Sequence, residues 1–256
     1  MIGAKNKSEK QNAKAVKNIA LLIVVHALYF SCTTDSEKPS DELYFPLQVG
    51  TYWVYDVEET ATSRLTCTDN GESFNNYELK VVVTDSFPNA ETEGGYSYIL
   101  TRYTRSEAAQ SWQPIATWTS KRVKSKAVNN ESNILYLKLV FPLYEAQMWN
   151  GNIYNKELQL NGQIEDEYTA ALVGKPYYLA NGQMYPNTVT VLQNDEQKNI
   201  LYRDSRLEVY ALNVGLIYKE SYLLKYFANS QLPCYGQNRV QQGSIWKQTL
   251  KEFGRN

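Results

Sequence analysis

The chain has 256 residues, with 26 Lys and Arg against 27 Asp and Glu, a formal net charge of −1 and one histidine. That histidine, His26, lies in an apolar leader read below as cleaved, so the rest of the chain offers no imidazole; this excludes Ser-His-Asp and Cys-His catalysis and any histidine-based zinc site. The leader also removes Lys5, Lys7, Lys10, Lys14 and Lys17 against Glu9 alone, and the acidic remainder lacks the basic footprint of a general nucleic-acid binder.

In chain order the first element is that leader. A lysine-rich start followed by the apolar run Ile19 to Phe30 reads as a secretory signal, and the run is shorter than the roughly 20 residues a helix needs to span a bilayer. Thr33 to Glu42 is polar and acidic and contains Pro39; such a stretch buries too little apolar surface to fold and reads as a tether. The expected organisation is a leader over 1–31, a tether over 32–43 and a single domain over 44–256.

Within the domain, 21 Tyr and 5 Trp favour pleated, half-buried surfaces. Strands are expected at Tyr52–Val57, Tyr77–Asp85, Tyr96–Arg105, Ile115–Lys126 and Ile134–Phe141. In the third of these, Tyr98, Leu100 and Arg102 alternate with Ile99, Thr101 and Tyr103. Further strands are expected at Glu167–Val173, Pro176–Leu179, Asn187–Gln193, Ile200–Leu212 and Leu216–Phe227. Ile245–Phe253 reads as a strand, with a helix as the alternative because Trp246, Leu250 and Phe253 are spaced four and three apart. Four Asn-Gly pairs, at Asn70, Asn150, Asn161 and Asn181, supply hairpin turns. The fold class is therefore all-β: one antiparallel domain of about ten strands in a strongly curved sheet or barrel, with few or no helices beyond the leader. One phrase recurs: Phe45-Pro46-Leu47 stands five residues before Trp53, and Phe141-Pro142-Leu143 five residues before Trp149. It reads as two equivalent entries into the sheet, with chance recurrence as the alternative.

Leu28-Tyr29-Phe30-Ser31-Cys32 resembles the lipobox of bacterial lipoproteins, in the lax form of Bacteroidetes-type members. The resemblance implies cleavage before Cys32 and acyl chains, palmitate among them, on its thiol and new amino group; ordinary signal-peptide cleavage is the competing reading. Thr33 after the cysteine resembles lipoproteins sent to the outer membrane, and Asp35 and Glu37 resemble acidic signals for export to the cell surface. Tyr44 to Tyr55 (YFPLQVGTYWVY) and Glu208-Val209-Tyr210-Ala211 with Asn213 to Glu220 resemble phrases in a group of such lipoproteins whose activity is unassigned. That group implies location and a curved sheet rather than a reaction.

Candidate chemistry is sparse. Cys67 and Cys234 lie outside any Cys-x-x-Cys, and in an oxidising compartment they either form one disulfide or stay as buried thiols. On a single strand, Trp118, Ser120, Arg122, Lys124 and Lys126 would share one face; they are candidate anion or glycan contacts, or a solvated strand whose lysines discourage edge pairing. Glu165 and Glu167 have the spacing of a glycoside-hydrolase carboxylate pair, or of a charged hairpin end. Trp112, Trp118 and Trp149 are sugar platforms or core. No metal site and no cofactor are assigned. The expected protein is non-catalytic: an outer-membrane envelope lipoprotein, membrane-bound through lipid on Cys32, that binds a hydrophobic or glycan ligand or an envelope protein, or serves as a structural subunit. The alternative is a hydrolase using Glu165 and Glu167.

Overall fold

Alternation between core-facing and solvent-facing residues builds twelve strands in the computed structural model, which describes residues 40–90, 95–155 and 166–256. They are β1 (Thr51–Ser63), β2 (Glu72–Pro88), β3 (Tyr96–Arg105), β4 (Gln113–Val123), β5 (Lys126–Glu131), β6 (Ile134–Val140), β7 (Gln147–Asn150), β8 (Glu167–Tyr178), β9 (Met184–Glu196), β10 (Tyr202–Ala211), β11 (Gly215–Tyr226) and β12 (Val240–Arg255). The one helical element among the described residues is a 3-10 turn at Asp41–Tyr44. All pairings are antiparallel, in the order β6-β5-β4-β3-β2-β1-β12-β11-β10-β9-β8-β7.

Because β1 bonds to β12, the meander curls until its two edges, β6 and β7, meet at a seam and nearly close a barrel. The seam is bridged without a regular ladder. Leu137 N donates to Gly151 O at 2.8 Å, Trp149 Nε1 to Leu137 O at 2.9 Å and Asn155 Nδ2 to Leu135 O at 2.6 Å. Edge groups that would otherwise invite another strand are thereby occupied. Gly151 is required here, since a Cβ would stand 2.3 Å from the Tyr168 ring.

Both recurrent phrases open a six-strand half of this barrel, β1–β6 and β7–β12. Phe45, Leu47, Phe141, Leu143 and Trp149 are buried in one cluster with Val128, Leu139, Tyr168 and Tyr210. A second cluster gathers Trp53, Tyr55, Val57, Leu79, Val83, Ile217 and Leu250. Ser40 to Leu47 closes one end of the barrel. Asn213 N donates to Leu43 O at 2.9 Å, Leu143 N to Asp41 Oδ2 at 2.8 Å and Arg122 Nη1 to Glu42 Oε2 at 2.9 Å. Gly215, at φ +92°, lets Pro46 approach to 3.2 Å from where a Cβ would stand. Residues 40–43, assigned to the tether by composition, thus belong to the folded unit. Their polar side chains find partners on the barrel rim.

The count of about ten strands becomes twelve. The chain reverses at Lys124–Ser125, splitting the expected Ile115–Lys126 strand; Lys124 itself takes φ 53°, a turn made without Gly, Pro or Asn. β7 is a four-residue edge too short for periodicity to reveal. Conversely, Pro176 does not break β8, whose ladder absorbs it through register shifts flanking Lys175. Ile245–Phe253 lies within β12 and is strand. β1 and β2 also run further than their apolar residues suggest, because Glu58–Thr62 and Glu72–Asn76 pair with each other.

At the opposite end, Cys67 and Cys234 are joined by a disulfide with Cα atoms 5.8 Å apart at a sequence separation of 167. Arg239 donates from Nε to Cys67 O at 3.0 Å and from Nη2 to Asp69 O at 2.8 Å, consolidating that corner. Cys67→Ser is expected to lower the unfolding free energy in a denaturant titration by about 2–4 kcal/mol. Peptide mapping of unfolded, unreduced protein after alkylation should find neither position labelled; labelling at both would contradict the bond.

Candidate functional site

The barrel is not filled by its own side chains. Inward residues of β1–β6 and β10–β12 leave a cavity of about 380 Å³, floored by Phe45, Pro46 and Leu47 and walled by Trp53, Tyr55, Leu79, Val81, Leu100, Leu216 and Trp246. Leu223, also on the wall, is 46% exposed and marks the side open to solvent. Two wall aromatics are held by their polar atoms: Trp53 Nε1 donates to Val214 O at 2.6 Å and Tyr55 Oη to Leu216 O at 3.0 Å. A fixed, largely apolar wall interrupted by polar and charged side chains has the character and size of a small-molecule site.

Four charges cross the interior. Lys138, from the edge strand β6, donates through Nζ to Glu208 Oε1 at 2.7 Å and stands 3.3 Å from Glu131 Oε1. Lys219 Nζ lies 3.2 Å from Glu208 Oε1 and 4.0 Å from Glu131 Oε2. Tyr210 Oη donates to the other Glu208 oxygen at 2.6 Å. Burial pushes the Glu208 carboxyl up, but Lys138, Lys219 and the hydrogen bonds from Lys138 and Tyr210 outweigh it and bring it down to about 2. Glu131 is likewise held below its ordinary value: burial opposes the shift and the same two lysines drive it. The two lysines and two carboxylates are mutually neutral.

Arg102, on β3, adds a fifth charge to the cavity wall. Its Cζ lies 3.7 Å from the centroid of the Trp118 ring. Its Nε is buried and has no hydrogen-bond partner, as are the Nε1 atoms of Trp118 and Trp246. Burial lowers the Arg102 pKa, partly offset by the field of Glu131. The wall therefore carries one net positive charge, from Lys138, Lys219 and Arg102 against Glu131 and Glu208.

Of the residues singled out by sequence, Trp118 reaches this wall. Arg122 instead pairs with Glu42, and Lys124 is exposed in the β4–β5 turn. Lys126 begins β5, with Nζ 6.0 Å from the Tyr154 ring centroid. The expected single face of Trp118, Arg122, Lys124 and Lys126 does not exist, because the chain turns at Lys124. Glu167 is exposed at the start of β8; Glu165 lies outside the described residues, as does Cys32. Trp149 is buried at the seam, and Trp112 sits under Arg105, whose Cζ is 4.2 Å from its ring centroid. Sequence reasoning missed Glu131, Lys138, Glu208 and Lys219 as a group. A signal was present: Lys138 is the one charge within Ile134–Phe141, a run apolar on both faces, and such a charge must find a buried partner.

No protein-family model matches the chain, and no curated protein matches it in sequence. Two solved structures are similar to it. One is a candidate exported protein with a YmcC-like fold from Bacteroides fragilis NCTC 9343, with a TM-score of 0.43. The other is a candidate lipoprotein from Parabacteroides distasonis ATCC 8503, with a TM-score of 0.40. Each is 12% identical over 82% of this chain and 98% of that one.

A carboxyl whose folded pKa is depressed contributes stability above its unfolded value of 4.5, and that contribution is lost as pH falls toward 2. Glu208→Gln strands Lys138 without its principal partner and is expected to cost about 3–5 kcal/mol at pH 7. In denaturant titrations the gap between wild type and variant should narrow between pH 5 and pH 2.5. A gap independent of pH would show that the carboxylate is not ionised in the fold.

Proposed function

We propose that this chain is a lipid-anchored envelope protein, held at the outer membrane through Cys32, whose barrel carries a hydrophobic small ligand without acting on it chemically. The observation that carries this reading is the cavity: about 380 Å³ walled largely by aromatic and aliphatic side chains, within the range of roughly 300–1,000 Å³ typical of ligand pockets. The lipobox-like Leu28 to Cys32 supports the anchor. The apolar part of the wall, with Phe45, Leu47, Trp53, Leu79 and Leu100, suits a hydrocarbon chain, and Arg102, Lys138, Lys219, Glu131 and Glu208 place charged groups beside it. The catalytic alternative gains no support from Glu167, which is exposed on β8 rather than set in the cavity.

Native mass spectrometry of the protein extracted from envelopes in mild detergent tests both halves. The expected spectrum shows a chain beginning at Cys32 with covalent acyl mass. It also shows a non-covalent adduct of lipid mass that collisional activation releases. A chain without acyl mass would overturn the anchor, and a reproducibly bare chain would overturn the carrier.

A further inference from the structure

The cavity's polarity identifies more than its size does. An apolar wall asks only for an apolar guest, and a charge placed in it without a protein counter-ion is costly. Glu131 is the carboxylate whose field reaches Arg102, yet it is engaged by Lys138 and Lys219. Among the described residues, no side-chain hydrogen bond or ion pair engages the Arg102 guanidinium. Stacking on Trp118 occupies one face of the guanidinium and leaves its in-plane N–H donors free. The Nη groups of this stacked guanidinium are not among the buried atoms, and a guanidinium fork matches a carboxylate in two parallel bonds.

Resting on the carrier reading, we propose that the cavity takes a single-chain amphiphile with one anionic head, a long-chain carboxylate, bound through its head at Arg102. The hydrocarbon chain lies against Phe45, Leu47, Trp53, Leu79 and Leu100, the apolar part of the same wall. A volume near the lower end for ligand sites suits one chain rather than two. The net +1 of the wall, from Lys138, Lys219 and Arg102 against Glu131 and Glu208, becomes zero when one carboxylate enters.

The test compares palmitate with hexadecanol, two chains of equal length that differ in head charge. Binding to delipidated mature Cys32→Ser protein is measured by calorimetry below the micelle-forming concentration. Wild-type cavity residues should favour palmitate by tenfold or more, and Arg102→Gln should abolish that preference while hexadecanol affinity stays within about threefold. Arg102→Lys, which keeps the charge but not the fork, should retain part of the preference. Equal affinity for both probes in the unsubstituted cavity would overturn the carboxylate assignment and leave the carrier reading standing. Binding of neither probe would overturn both. Should Arg102→Gln fail to give a folded thermal transition, the palmitate-to-hexadecanol ratio with Arg102 in place still decides the matter.

Discussion

The Lys138–Glu208 pair is the contact on which the interior depends. It joins β6, the edge of one half-barrel, to β10 in the other, across a space no backbone ladder spans. Both side chains are almost wholly removed from water, at 4% and 1% exposure. Such a pair is not a gain by default, because desolvating two charges can cost more than their attraction returns. Here Lys219, Glu131 and the Tyr210 hydroxyl complete it, so the Lys138 ammonium and Glu208 Oε1 each have two charged partners and Glu208 Oε2 accepts from Tyr210. A cluster of this kind acts against a collapsed, fully apolar interior: its groups must stay where their partners are, and the space beside them stays open.

The closed end has a different origin. Ser40 to Leu47 enters across the barrel end before β1 begins, and its buried Tyr44, Phe45 and Leu47 each contribute on the order of 1.5–3 kcal/mol of hydrophobic stabilisation. Phe141 to Leu143 packs into the same cluster ahead of β7. The two Trp residues that follow these phrases both anchor their indole N–H on a backbone carbonyl, Trp53 on Val214 and Trp149 on Leu137. Two similar phrases thus do similar work at the starts of the two halves. One of them also furnishes the cavity floor, which ties the chain's entry into the fold to the shape of the site.

The class of fold was legible because alternation and Asn-Gly turns are local signals, as at Asn181-Gly182, where Gly182 N donates to Leu179 O at 3.0 Å in the β8–β9 turn. The β4–β5 turn was not legible, because Lys124-Ser125 lacks the Gly, Pro or Asn that marks a tight turn and the reversal shows only in the pairing of Thr119–Val123 with Lys126–Asn130. That single misreading scattered the expected basic face. For the cavity, Arg102 was visible in line with Tyr98 and Leu100 on one strand face. Period two says that three side chains share a face but not that the face is inside a barrel. Glu131, Lys138, Glu208 and Lys219 come from four strands, and their convergence is a property of sheet closure rather than of any window of sequence.

Tryptophan fluorescence reports most directly on whether the interior receives a guest. Trp53, Trp118 and Trp246 line the cavity, while Trp112 packs under Arg105 and Trp149 against Tyr168. A bromine-labelled fatty acid, which quenches only on contact, should reduce the emission saturably at one equivalent, and Trp118→Phe should lose a clear share of that response. Quenching that rises linearly without saturation, or that Trp118→Phe leaves unchanged, would contradict a ligand-holding barrel.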